Sequence, residues 1–137
     1  MEVHPRLRQA VVATSIVGAA LLPTAPASAL VPKQVVNIES GTACVNGAAF
    51  CYQPRKPTIS SGVKVVWKNL TSDVHTVTRC DVANCGVSGG TGTDTGLNSP
   101  FISDGAKYRF IFHGTGSYVY YCAVHGYAAM HGKIIVA

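Results

Sequence analysis

Cys122, His125 and Met130 stand in one short run near the end of this 137-residue chain, with the spacing Cys-x2-His-x4-Met. The run sets a thiolate, an imidazole and a thioether on a single loop. These are three different kinds of soft or borderline metal ligand. Copper that cycles between Cu(I) and Cu(II) takes this mixture: two imidazoles and a thiolate in a near-trigonal plane, with a thioether as a weak axial donor. Zinc is more often held by Cys and His alone in a closed tetrahedron. One imidazole is missing from the run, and His75, 47 residues before Cys122, is the candidate. Gly126, Ala128 and Ala129 lie between the ligands and allow a tight loop. A strand ending at Cys122 and another entered at Gly132 would anchor it.

The chain has five cysteines, an odd number. In an exported protein an odd count leaves one thiol over. Cys44 and Cys51 are seven apart, and Cys80 and Cys85 are five apart. Pairing each couple locally leaves Cys122, the residue that the metal argument needs as a thiolate. With Cys122 reserved, the other four cysteines allow three connectivities. The short-range pairing, Cys44–Cys51 with Cys80–Cys85, is favoured because each couple sits in its own turn-rich segment.

Export is read from residues 1–29. Arg6 and Arg8 give a positive start, and Val11 to Leu22 is apolar but too short to span a bilayer. Ala27-Ser28-Ala29 completes a small-x-small cleavage signal. Cleavage there leaves residues 30–137 as one small domain without a transmembrane segment, outside the cell or on the periplasmic, cell-envelope side. The whole chain carries eleven Lys/Arg against six Asp/Glu. Removing Arg6, Arg8 and Glu2 leaves nine against five, a net charge of +4. The positive residues are dispersed and no basic run is interleaved with aromatics, so nucleic acid is not the implied partner. Acidic protein surfaces are.

The elements that must position the ligands are strands. Short runs rich in Val, Ile, Thr, Tyr and Phe alternate with Gly, Pro, Asn and Ser clusters, and no segment after the leader reads as an amphipathic helix. Strands are expected at Gln34–Ile38, Lys64–Asn69, His75–Arg79, Lys107–His113, Ser117–Cys122 and Gly132–Val136. A hairpin is expected over Thr42–Tyr52. There a Gly47-Ala48 turn, which would set Cys44 opposite Cys51, is favoured over the competing Asn46-Gly47 turn. Val65 and Trp67 share one face of their strand, as do Tyr108, Phe110 and Phe112, and Tyr118, Tyr120 and Cys122. Six to eight such strands in about 100 residues imply an all-β fold, a Greek-key β-sandwich.

Other features receive plainer readings. The stretch from Cys85 to Pro100 is a long Gly-, Thr- and Ser-rich segment, expected as a flexible loop. It holds one copy of the opening of a calcium β-roll repeat, an architecture that needs stacked copies. His113 and His131 are expected to be solvated. Asn69-Leu70-Thr71 is a formal glycosylation sequon, although Asn69 falls within a strand motif.

The segment Gly116 to Ile134, which contains Tyr118-Val119-Tyr120-Tyr121-Cys122 and the His125 and Met130 positions, resembles the C-terminal metal loop of plastocyanin-like blue copper proteins, the cupredoxins. Gly62-Val63-Lys64-Val65-Val66-Trp67-Lys68-Asn69, followed by Val74-His75-Thr76-Val77, is similar to that family's strand and first-histidine motif. The resemblance covers roughly Gly62 to Ala137. It implies a sandwich with one type 1 copper ion held by His75, Cys122, His125 and Met130. It also implies a tyrosine corner at Tyr118 and an electron path near Tyr121. The chain departs from the pattern at Thr76, where plastocyanins often have an Asn that ties the two copper loops together; a Thr hydroxyl can do part of that work. The Cys80/Cys85 couple and the Gly-rich segment are further departures, pointing to a distinct bacterial-type branch.

The resulting expectation is an exported, monomeric carrier of single electrons between redox partner proteins. The alternative is a copper protein for delivery or storage. A copper oxidase or nitrite reductase would need further copper centres with His-x-His pairs, and the chain contains none. No catalytic residue is therefore assigned, and the expectation is a protein that is not an enzyme.

Overall fold

A computed structural model describes Met1 and residues 30–137; the expected leader otherwise lies outside the described residues. Alternation of apolar and polar residues builds eight strands among the described residues. They are β1 (Lys33–Ser40), β2 (Phe50–Gln53), β3 (Thr58–Ile59), β4 (Lys64–Asn69), β5 (Thr78–Arg79), β6 (Lys107–Ile111), β7 (Gly116–Tyr121) and β8 (His131–Val136). One sheet has the order β2-β1-β4-β6 and the other β3-β8-β7-β5. Both are mixed: β1 runs parallel to β4, and β3 runs parallel to β8, while the remaining pairs are antiparallel. The chain passes repeatedly from one sheet to the other, so strand neighbours are often distant in sequence, as a Greek-key sandwich requires.

The period of two puts one face of each strand into the space between the sheets. Val36 and Ile38 of β1, Val65 and Trp67 of β4, Tyr118 and Tyr120 of β7, and Ile134 and Val136 of β8 meet there. Burying each aliphatic side chain contributes about 1.5–3 kcal/mol. Trp67 and Tyr120 cross edge to face with ring centroids 5.5 Å apart, and Tyr52 meets Tyr120 at 4.8 Å. Tyr118 forms the expected corner: its hydroxyl donates to Gly114 O at 2.6 Å. The ligand-bearing strand end is thus fixed by a dense aromatic core.

Three expectations need correction. The hairpin is not Thr42–Tyr52. It is β1 with β2, in register Ser40 to Phe50, joined through two short 3-10 turns at Gly41–Ala43 and Val45–Gly47. The alternation of β1 extends farther than its apolar run suggested, which leaves Cys44 in the connection. His75–Arg79 is not a continuous strand: His75 makes an isolated bridge to Ile102, and only Thr78–Arg79 joins a sheet. A one-turn helix, α1 (Val82–Cys85), capped by Asp81, follows β5. The disulfides are Cys44–Cys51 and Cys80–Cys85, and Cys122 is free and buried.

The third correction concerns the Gly-rich segment, which is pinned along β7. Val119 N donates to Gly89 O at 3.0 Å and Gly92 N to Ser117 O at 2.9 Å. The Arg79 guanidinium lies 4.6 Å over the Tyr118 ring and donates to Asp94 O and Gly92 O, both at 2.7 Å. A Cβ on Gly92 would fall 2.1 Å from the Tyr118 ring, and one on Gly90 would fall 2.2 Å from Ser117 O. These glycines permit close approach of backbone to the strand. Flexibility is not their role.

Candidate metal centre

The loop that leaves β7 and enters β8 is closed by its own backbone. Cys122 N donates to Met130 O at 3.0 Å, Gly126 N to Cys122 O at 2.8 Å, and Met130 N to Gly126 O at 3.0 Å. Gly126 turns the chain at φ +83°, a conformation that L side chains rarely adopt. Cys122 therefore projects from a strand end fixed by the core, and His125 returns toward it. His75 arrives from the other sequence segment, held by reciprocal bonds to Ile102 at 3.2 and 2.8 Å.

The three strong donors converge. Cys122 Sγ lies 3.4 Å from His125 Nδ1 and 3.9 Å from His75 Nδ1, and one donor atom from each residue falls within 4.8 Å of the others. Met130, 1% exposed, belongs to the same buried cluster as Cys122. His75 and Cys122 are fully buried, and His125 is half-buried. Phe50 packs against both imidazoles, with ring centroids 4.9 Å from His75 and 4.6 Å from His125.

Hydrogen bonds behind the donors fix their state. His75 Nε2 lies 2.8 Å from Thr71 Oγ1, which lies 2.9 Å from Asn69 Oδ1. The Asn69 oxygen can only accept, so the Thr71 hydroxyl donates to it and receives the Nε2–H of His75. That tautomer leaves the lone pair of His75 on Nδ1, the nitrogen that faces the Cys122 sulfur. Asn69 holds the rest of the loop, donating to Asp73 O at 2.7 Å and Ile102 O at 2.9 Å. Burial, and next the neighbouring His125, push the His75 pKa down to about 4, against a smaller upward pull from Asp73. The ring is neutral at pH 7, as a metal ligand must be. Thr76 N points at Cys122 Sγ from 3.4 Å, the contact that supports a thiolate.

Thr76 also ties the two ligand segments: its hydroxyl accepts from Ala123 N at 2.8 Å and contacts Thr78 Oγ1 at 3.1 Å. Asn69 and Thr71 are the functional residues that sequence reasoning missed. Asn69 stood in the sequence only as the end of a strand motif and the start of a formal sequon; it is 0% exposed and serves the His75 loop, so it is no glycan acceptor in the folded chain. Tyr121 faces away from the main core and is 8% exposed, covered by a small cluster with Cys80, Val119 and Tyr127. His113 is exposed as expected. His131 is not: it is half-buried, stacked on Tyr127 and in contact with Arg55.

This donor set suits copper. A soft buried thiol and two convergent imidazole nitrogens, one in a fixed tautomer, leave no acidic ligand of the kind that Mg²⁺ or Ca²⁺ requires.

Residues 39–137 match the family described as copper binding proteins of the plastocyanin/azurin family. A chloroplastic plastocyanin of Tetradesmus obliquus is 32% identical over 93 residues, 66% of this chain and 61% of that protein. The chain thus spans about three fifths of that relative's length. Among solved structures, a purple cupredoxin from Nitrosopumilus maritimus superposes with a TM-score of 0.58 at 28% identity, over 75% of this chain and 98% of the other. An oxidized amicyanin variant superposes with a TM-score of 0.54 at 25% identity, over 75% and 80%. Two packed sheets with this His-Cys-His convergence define a cupredoxin fold. The chain belongs to the plastocyanin/azurin family of copper binding proteins, and copper is its cofactor.

Proposed function

We propose that this chain is an exported carrier of single electrons, in which His75, Cys122, His125 and Met130 hold one copper ion. The observation that carries the reading is the convergence of three donor atoms within 4.8 Å around the one free cysteine. Bound copper supplies a one-electron Cu(I)/Cu(II) couple in a ligand mixture that neither oxidation state strongly prefers. The protein's part is to keep those ligands still. Cys122 is shielded from water by the core, and Thr76 N supports its negative charge. His75 is locked through Thr71 and Asn69, so little need rearrange as the charge at the centre changes.

His125 supplies the route to a partner, because it alone among the three strong donors is only half-buried. Exposed apolar side chains occur in the segments that carry or pair with the ligands: Leu70, Val74, Phe101 and Val124. Exposed apolar side chains of this kind fit brief docking of a redox protein that gives up or takes one electron, and the +4 charge of residues 30–137 favours acidic partner surfaces. Residues 1–29 carry the export signal in this reading.

The test is optical. Addition of Cu(II) to the purified protein is expected to give an intense visible thiolate-to-copper band that a mild reductant bleaches and an oxidant restores over repeated cycles. A colourless complex would overturn the role of Cys122. Colour that does not survive rapid cycling would favour copper delivery or storage.

A further inference from the structure

A cavity of about 450 Å³ beside β8 is lined by none of the candidate metal ligands. Three basic side chains line it: Arg55, Lys56 and Lys133. Lys133 N donates to Arg55 O at 2.9 Å and Ile135 N to Pro57 O at 3.0 Å, so the 55–57 segment is sewn to β8 and the cations are brought together by backbone. No acidic side chain is among the lining residues. Like charges gathered without a counter-charge repel one another, and a bound anion relieves that repulsion.

The remaining walls are equally specific. His131 Nδ1 lies 2.8 Å from Tyr127 O, so this nitrogen carries the hydrogen and Nε2 accepts from Arg55. One guanidinium N–H is used in that contact, which steadies Arg55 and leaves four for a ligand. Ser88 Oγ accepts from Gly90 N at 3.2 Å, so its own hydrogen is free to donate. Val87, Val119 and Tyr127 supply apolar surface in the same cavity. The volume lies within the range of small-molecule sites, in which a few polar groups orient an otherwise apolar ligand.

We propose that this cavity binds an organic oxyanion, with its carboxylate or phosphate head on Arg55, Lys56 and Lys133 and a compact apolar or aromatic body against Val87, Val119 and Tyr127. None of these residues is assigned to the metal, so the proposal stands or falls independently of the copper reading.

Titration of the ¹⁵N-labelled full chain with phenyl phosphate, benzoate, inorganic phosphate and phenol tests it by NMR. Phenyl phosphate or benzoate is expected to give saturable shifts confined to residues 55–56, 87–88, 119, 127 and 131–133, and the stronger of the two identifies the head group. Phenol, which has the body without the charge, is expected to bind at least about tenfold more weakly. Inorganic phosphate is expected to bind less tightly than phenyl phosphate, and equal affinity would overturn the role given to the apolar walls. Lys133→Gln is expected to lower affinity by roughly tenfold. Lys56→Gln, at an exposed position where folding is not at stake, is expected to lower it about threefold. The proposal is overturned by the absence of saturable shifts up to about 20 mM, well past the millimolar constants of weak sites. Shifts spread over every lysine, or unchanged affinity in Lys56→Gln, overturn it as well.

Discussion

Replacing Thr71 by Val removes one hydroxyl and little volume, and the consequences can be worked from the structure. The hydroxyl receives the Nε2–H of His75 at 2.8 Å and donates to Asn69 Oδ1 at 2.9 Å. Asn69 Oδ1 still accepts from Thr71 N at 2.9 Å, so it keeps a partner. His75 does not, and it is 0% exposed, so water cannot replace the lost bond. A buried donor left unsatisfied costs about 1–3 kcal/mol. For a domain of this size, about 2 kcal/mol lowers Tm by roughly 10 °C. The His75 ring also loses the bond that sets its tautomer and orientation, a change that typically costs ~10–100-fold in metal affinity. Two assays read these effects separately: thermal unfolding of metal-free protein, and competition of copper-loaded protein against a chelator of known affinity. Thr71→Ser, which keeps the hydroxyl, is expected to recover most of both losses. Thr71→Val with unchanged Tm and unchanged copper affinity would refute the relay from Asn69 through Thr71 to His75.

Further outcomes follow from other parts of the molecule. Met130→Leu is expected to leave copper bound and coloured while raising the reduction potential, because the axial thioether favours Cu(II). A tenfold shift in relative affinity corresponds to about 59 mV for one electron, and voltammetry showing no change would make Met130 a core residue only. Gly92→Ala drives a methyl group into the Tyr118 ring, held on its other sides by Gly114 O and Arg79, and is expected to cost about 3 kcal/mol in chemical denaturation. Burial raises the Asp94 pKa, but hydrogen bonds from the backbone amides of Gly114 and His113 outweigh it and hold the carboxyl below its ordinary value. A depressed folded pKa gives stability that is present above the unfolded value, about 4, and lost as pH falls through the folded one. Asp94→Asn is therefore expected to be less stable at pH 7 and to show less of this acid-dependent loss in urea titrations below about pH 4.

Cys122, His125 and Met130 were legible in the sequence because their donor types stand close together, with Gly126 and two alanines between them to permit a tight loop. The alternation in Lys64–Asn69, Lys107–His113 and Ser117–Cys122 was equally local, since side-chain period alone sorts an inward from an outward face. The odd cysteine count marked Cys122 for the same reason. Only the folded chain decided what lies around these residues. The Asn69–Thr71–His75 chain depends on how a turn folds back under an imidazole, and nothing in Asn-Leu-Thr distinguishes that from a surface triplet. The glycines at 89, 90 and 92 look like flexibility in one dimension; the strand that presses against them is β7, some 25 residues on. The gathering of Arg55, Lys56 and Lys133 follows from the backbone bonds that join the 55–57 segment to β8, across almost 80 residues of sequence. Local pattern determines which residues can do chemistry. Long-range pairing determines which neighbours set their protonation, their rigidity and their access to solvent.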